Sequence, residues 1–447
     1  MDLRLSPYGA ASVTPSPVSR LMAAFVADFR EGVDIDLGVG YVNEKTIPIP
    51  LFLEAIGVVA GDPVAYRQAF NYGGPHGSPS LLLALRRFLV RPGVEALDEA
   101  TLSRKRLIVG PCGATSVLEG LAEILAPGIV VTSDPMYYIY ADALERKGFE
   151  ILAVAEDAEG IELAALDKKL SALGHRAREI SFFYAVTVNN PSCTVLSNRR
   201  RRALYEIAAR VSLAQNRSVP IFFDLAYELL LHDPAMPPFE SVLPMDSLDI
   251  AYEIGTLSKV LAPALRIGYL LGPPGPLMDA MTQKSSDAGF SAPVFVQEMA
   301  AYMLDHHVDE QLRSVNAGYR KKALAVRAAI DRELGEFLEE CRGGSAGFYF
   351  YLTFRDIETQ PGSLFFRILS RTTGEPEIDG PSEARFARIS YIPGTYCVHP
   401  RGDLAEGGKR QMRLSYAFED EERILEALAM MRNAALTVSQ RQLAAAR

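Results

Sequence analysis

The sequence predicts an α/β protein with two parts: a large, mostly parallel seven-stranded sheet covered by helices on both faces, and a smaller α+β domain. Three observations predict it. Seven short β-rich runs recur between about residues 105 and 275: RLIVG, GIVVTS, EILAVA, EISFFYAV, PIFFDLAY, DIAYEIGT and RIGYLLG. Helix-patterned stretches, at Thr115–Leu125, Ile161–Leu173 and Arg199–Leu213, separate many of them. Apolar strands that alternate with helices read as a parallel sheet buried on both sides. Beyond about residue 290 the alternation stops and a different mixture of strands and helices follows.

In chain order, residues 1–50 read as an N-terminal arm that also supplies part of the small domain. They hold a Pro/Ser-rich start, a helix-like Val18–Arg30 and a strand-like VDIDLGVG. Apolar repeats in Leu51–Val59 and Ser80–Val90 predict two helices around the Gly-rich NYGGPHGSPS. The large domain spans 51–320, and a long helix is expected over about 290–330. The small C-terminal domain spans 321–447. It contains a strand pair near Gly347–Thr353, a helix near Leu364–Ser370, a turn at Pro393–Gly394, a strand at Gln411–Phe418 and a closing helix at Asp420–Val438.

Composition narrows the function. The 447 residues are 49% hydrophobic and 23% charged, which is globular usage. A formal charge of -9 argues against nucleic acid, whose binding needs a basic face. No segment has the long apolar run needed to span a bilayer, and the N-terminus lacks the features of a signal peptide, so a cytoplasmic protein is expected. Cys112, Cys193, Cys341 and Cys397 are widely spaced, and only His306 and His307 adjoin among six histidines, so neither a disulfide framework nor a metal site is expected.

Ligands of parallel sheets sit at the carboxyl ends of the strands. Four small or polar segments fall at such ends, in this order: GATS at 113–116, NNPS at 189–192, DLAY at 224–227 and TLSK at 256–259. The stretch GTLSKVLAPALRIGYLLGP at 255–273 resembles the S-x-S-K-x-x-x-P-G-x-R-x-G motif of the class I/II aminotransferases. With the other segments, the chain resembles that family, of fold type I among pyridoxal-phosphate enzymes, from Gly38 to the last helix.

The resemblance implies pyridoxal 5'-phosphate as cofactor, held as a Schiff base by Lys259, whose amine would also shuttle the substrate proton. Asp224 would face the pyridine nitrogen, and Tyr227 and Asn190 the phenolic oxygen. Gly113, Ala114 and Thr115 open a helix suited to the phosphate, with Thr256, Ser258 and Arg266 beside it. Tyr72 would reach the phosphate bound to a second subunit, which implies a homodimer with shared sites. Tyr137 would stack on the ring, with Tyr138 and Tyr140 as neighbouring alternatives. Arg413 would hold the substrate α-carboxylate, with Arg401 and Arg410 close in sequence, and Asn190, Gly38, Gly40 and Tyr41 would line the substrate side. One departure stands out: the family's N-P-T-G reads Asn190–Pro191–Ser192–Cys193, and Cys for Gly is expected to alter that turn.

The function so implied is ping-pong transfer of an amino group between an amino acid and a 2-oxo acid. A pyridoxal-phosphate lyase, decarboxylase or synthase on the same fold is the first alternative. A transcription regulator with an aminotransferase-like body is the second, and the acidic charge and the lack of an added N-terminal module speak against it.

Overall fold

The computed structural model describes residues 3–94, 96–381 and 384–446. Its centre is a sheet whose strands are β2 (Arg106–Val109), β3 (Ile129–Asp134), β4 (Glu150–Asp157), β5 (Gly160–Ile161), β6 (Ile180–Val186), β7 (Ile221–Asp224), β8 (Ala251–Thr256) and β9 (Gly268–Gly272). Their order is β2-β9-β8-β7-β6-β3-β4-β5. The pairs β3/β4, β3/β6, β6/β7 and β7/β8 are parallel, whereas β9 runs antiparallel to both β2 and β8. The seven expected strands are all present. The two-residue β5, which hairpins back onto β4, makes an eighth; it is too short to leave an apolar pattern.

The sheet is buried because its side chains alternate between two cores. Val131, Phe183, Ala185, Ile221 and Phe223 join one apolar cluster, while Val130, Phe182, Tyr184, Val186 and Phe222 join the other. Every residue of β6 and β7 is buried, and each fully buried Phe or Ile contributes about 1.5–3 kcal/mol. Helices α3 (Gly113–Ile124) and α4 (Tyr138–Arg146) supply the second cluster. They follow β2 and β3, so their first turns open at one end of the sheet.

A four-stranded antiparallel sheet, β10 (Leu338–Gly343), β11 (Tyr349–Phe354), β14 (Gln411–Ser415) and β13 (Ile392–Pro393), stands beside it. Strand β1 (Ile35–Asp36) pairs in parallel with β12 (Ile389–Ser390), which ties the N-terminal segment to this later part of the chain. Before β1 lie two arm helices, α1 (Pro7–Ala11) and α2 (Pro17–Val26). The long helix expected over 290–330 is two helices, α5 (Val294–His306) and α6 (Val308–Leu334). His307, with φ -129°, leaves helical geometry between them. No helix among the described residues is long and apolar enough to cross a membrane.

Candidate active site

A cavity of about 910 Å³ opens where β6, β7 and β8 end and α3 and α4 begin. Lys259 lies on its wall, three residues past β8. Its Nζ donates to Gly40 O at 3.0 Å and sits 5.5 Å from the Tyr227 ring centroid and 5.6 Å from that of Phe348. Burial, and then the charges of Arg413 and Arg266, lower its pKa from 10.5 to about 8. The amine is therefore partly neutral near physiological pH, as a nucleophile must be.

Asp224 closes β7 and is buried. Its Oδ2 accepts from the Tyr184 hydroxyl at 2.6 Å, and its Oδ1 accepts from Ala226 N–H at 3.0 Å. Burial pushes its carboxyl up, while these two donors pull it back. Among the described residues no cation pairs with it. A buried carboxylate held only by neutral donors is suited to an external cation.

The start of α3 carries no side-chain cap; Gly113 N–H donates to Arg266 O at 2.6 Å, which leaves the N–H groups of Ala114 and Thr115 at the helix start. Two glycines keep this corner open. Gly113 has φ +66°, and a Cβ on it would meet Arg266 Nη2 at 2.8 Å. A Cβ on Gly268 would meet Ala114 N at 2.1 Å. Arg266 itself has φ +52°, and its guanidinium donates to Cys112 O and Pro263 O. Thr256 Oγ1 donates to Ile267 O at 2.7 Å and lies 3.0 Å from Ser258 Oγ. Ala114, Thr115, Thr256, Ser258 and Arg266 all line the cavity.

Arg413, on β14, is 2% exposed. It donates to Asn190 Oδ1 at 2.8 Å and to Gly38 O at 2.5 Å, and its guanidinium lies 4.3 Å from the Tyr349 ring centroid. Its Nε has no hydrogen-bond partner, and among the described residues it has no acidic partner. A desolvated guanidinium fork with spare donors matches a carboxylate. Arg401 instead pairs with Glu145, and Arg410 with Glu339; neither lines the cavity. Of the three tyrosines after β3, Tyr137 and Tyr138 line the cavity. Tyr140 packs into the core against Tyr184, with ring centroids 4.9 Å apart.

The Asn190 turn is not altered as expected. Cys193 adopts φ +51°, the left-handed geometry usual for glycine, and its N–H donates to Asn189 O at 2.6 Å. Burial of Glu156, which accepts from Asn189 Nδ2 at 2.9 Å and from the Thr194 hydroxyl at 2.9 Å, anchors the turn on both sides. These bonds over-determine a conformation that costs a non-glycine residue about 1–2 kcal/mol. Tyr41 lines the cavity while 62% exposed. Tyr72 does not reach this site: it is 85% exposed and stands edge-on to Phe290.

A family description, aminotransferase class I and II, matches residues 52–399, well over half of the chain. The chain belongs to that family. The aminotransferase is 25% identical, over 426 residues, to a Bos taurus protein named kynurenine/alpha-aminoadipate aminotransferase, mitochondrial, covering 91% of this chain and 95% of the relative. It is 24% identical over 306 residues to the uncharacterized HTH-type transcriptional regulator YdfD of Bacillus subtilis, covering 68% of this chain and 58% of the regulator. The crystal structure of a multiple substrate aminotransferase from Thermococcus profundus superposes with a TM-score of 0.82 at 21% identity, covering 98% of both chains. Family and named relatives make the protein a pyridoxal-phosphate-dependent transaminase and do not favour a regulator.

The open glycine corner, the uncapped helix start, the partly neutral lysine and the unpaired Asp224 fit pyridoxal phosphate. The sequence reading missed three contributors to the site. Tyr184 holds Asp224, Tyr349 lies between Tyr227 (2.9 Å between hydroxyls) and Arg413, and the arm helices line the cavity through Tyr8, Val18 and Met22. The phenol beside Phe182 and Phe183 in the fully buried β6 was the available signal for Tyr184; the others left none.

Proposed function

We propose that this aminotransferase moves an amino group between an amino acid and a 2-oxo acid, with Lys259 as the residue that holds the cofactor and carries the proton. The observation that carries this reading is the convergence of Lys259, Asp224, Arg266 and Arg413 on one cavity. Pyridoxal phosphate supplies an aldehyde for amines and a ring that withdraws electrons from the substrate α-carbon. Asp224 would hold the ring nitrogen and keep it protonated, and the Tyr184 hydroxyl fixes the carboxylate in place. The N–H groups of Ala114 and Thr115, the Thr256 and Ser258 hydroxyls and Arg266 would hold the phosphate, with Gly113 supplying the positive-φ turn that opens the helix. Tyr137 would cover one ring face, and Asn190 and Tyr227 would serve the phenolic oxygen.

Arg413 orients the substrate by its α-carboxylate, so that the Cα proton faces Lys259. Asn190 and Gly38 O hold the guanidinium in that orientation, and Gly40 O holds the lysine. Gly40 must stay bare, since a Cβ there would meet the Tyr349 hydroxyl at 2.6 Å. Lys259 Nζ would then be the base that takes the substrate Cα proton and the acid that later returns a proton. The first product leaves as a 2-oxo acid before the acceptor enters, which gives ping-pong kinetics.

The reading extends to assembly and place. The exposure of Tyr72, beside exposed Phe70 and Val64, supports a homodimer in which Tyr72 completes the partner's phosphate site. Four free thiols support a reducing, cytoplasmic setting. The pairing of β1 with β12 supports the division into an arm (1–50), a large domain (51–320) and a small domain (321–447). The test is transamination of 2-oxo acids by L-glutamate or L-alanine after loading with pyridoxal phosphate. Lys259→Ala should lower the rate at least about a thousandfold; full activity in that variant would overturn the reading.

A further inference from the structure

The cavity continues past Lys259 and Arg413. One face of α4 extends its wall: Tyr138, Asp142 and Arg146 recur every fourth residue, and all three line it. The arm stands opposite. Its α1 packs on α4, with the Tyr8 ring 4.6 Å from Lys147 Nζ, and α2 adds Val18 and Met22.

Arg146 is half-buried, and its Nε is buried with no hydrogen-bond partner. Among the described residues no carboxylate lies within 4.0 Å of it, and none of its donors is used. Its neighbours differ. Glu145 pairs with Arg401 at 3.1 Å, and Lys147 pairs with Glu123 at 3.1 Å. Asp142, one turn back, is the acid whose charge it feels, and burial drives that carboxyl toward its neutral form. A partly desolvated guanidinium with idle donors is costly unless an anion comes to it.

We propose that Arg146 is a substrate-recognition residue that pairs with a carboxylate at the far end of the amino-acid side chain. The inference rests on the reading above that Arg413 takes the α-carboxylate. The Arg413 guanidinium lies 5.8 Å from the Tyr138 ring. Eight residues of helix separate Tyr138 from Arg146, a rise of about 12 Å, and arginine side chains lean back toward the helix start. The two guanidinium groups are thus on the order of 10 Å apart, a span that a short straight-chain dicarboxylate bridges past Val18 and Met22 of α2. The preferred donor or acceptor is then an α-amino or 2-oxo dicarboxylic acid.

The test uses the loaded enzyme and unreactive probes: straight-chain dicarboxylic acids from succinate to suberate, each paired with the monocarboxylic acid of equal length, titrated by calorimetry. At one chain length the dicarboxylate should bind at least about tenfold tighter than its partner. Arg146→Gln should remove that advantage, and Arg146→Lys should restore part of it. No advantage at any length, or one that survives in Arg146→Gln, overturns the inference. Arg413→Gln separates the two readings: if it binds the monocarboxylates as the parent does, the assignment of Arg413 fails, whatever Arg146 does.

Discussion

Raising the pH of the cofactor-free protein through 8 should switch on the capture of pyridoxal phosphate. Only the neutral amine attacks the aldehyde. An ordinary lysine, at 10.5, is neutral in roughly one molecule in three thousand at pH 7. Lys259, lowered to about 8, is neutral in about one in ten. The sign follows from the direction of the shift: the neutral form dominates above about 8 and is lost as pH falls below it. Rapid mixing with pyridoxal phosphate, followed by absorbance from pH 6 to 10, should show a rate that rises about tenfold per pH unit below 8 and levels off above it. Burial is the larger cause and Arg413 the next, so Arg413→Gln should move the midpoint upward without restoring 10.5. A parent profile that still climbs at pH 10, or one that is flat throughout, would refute the argument.

Two further outcomes follow from the same geometry. Gly268→Ala places a methyl 2.1 Å from Ala114 N and must displace the start of α3; the urea midpoint should fall by the equivalent of about 1–3 kcal/mol, and cofactor should be held more weakly, both read in one denaturation and one dialysis series. Mixing inactive Tyr72→Ala with inactive Lys259→Ala should restore about a quarter of the sites, because half the dimers are mixed and each has one intact site. No recovery after subunit exchange would overturn the shared-site role of Tyr72.

The site was legible where chemistry is local in sequence. Lys259 and Arg266 sit seven residues apart in one strand-end loop, and Asp224 closes an apolar strand, so short-range pattern revealed them. Arg413 could not be told from Arg401 and Arg410 by pattern, because the choice is made by which strand position faces the cavity. Tyr349 and the arm helices meet the site only through tertiary packing between chain segments hundreds of residues apart. Glycine's absence at Cys193 misled, since flanking hydrogen bonds can hold a non-glycine residue at positive φ. In the fold, the apolar periods marked seven strands well. They could not show the two-residue β5, nor the break at His307, where the apolar spacing carries on across a single non-helical residue.

The central claim is that Lys259 carries the cofactor. Borohydride reduction of the loaded protein, then proteolysis and mass spectrometry, tests it most directly. The account predicts a phosphopyridoxyl group on the peptide containing Lys259 and on no other. The same modification on a different lysine, with Lys259 unmodified, would contradict it.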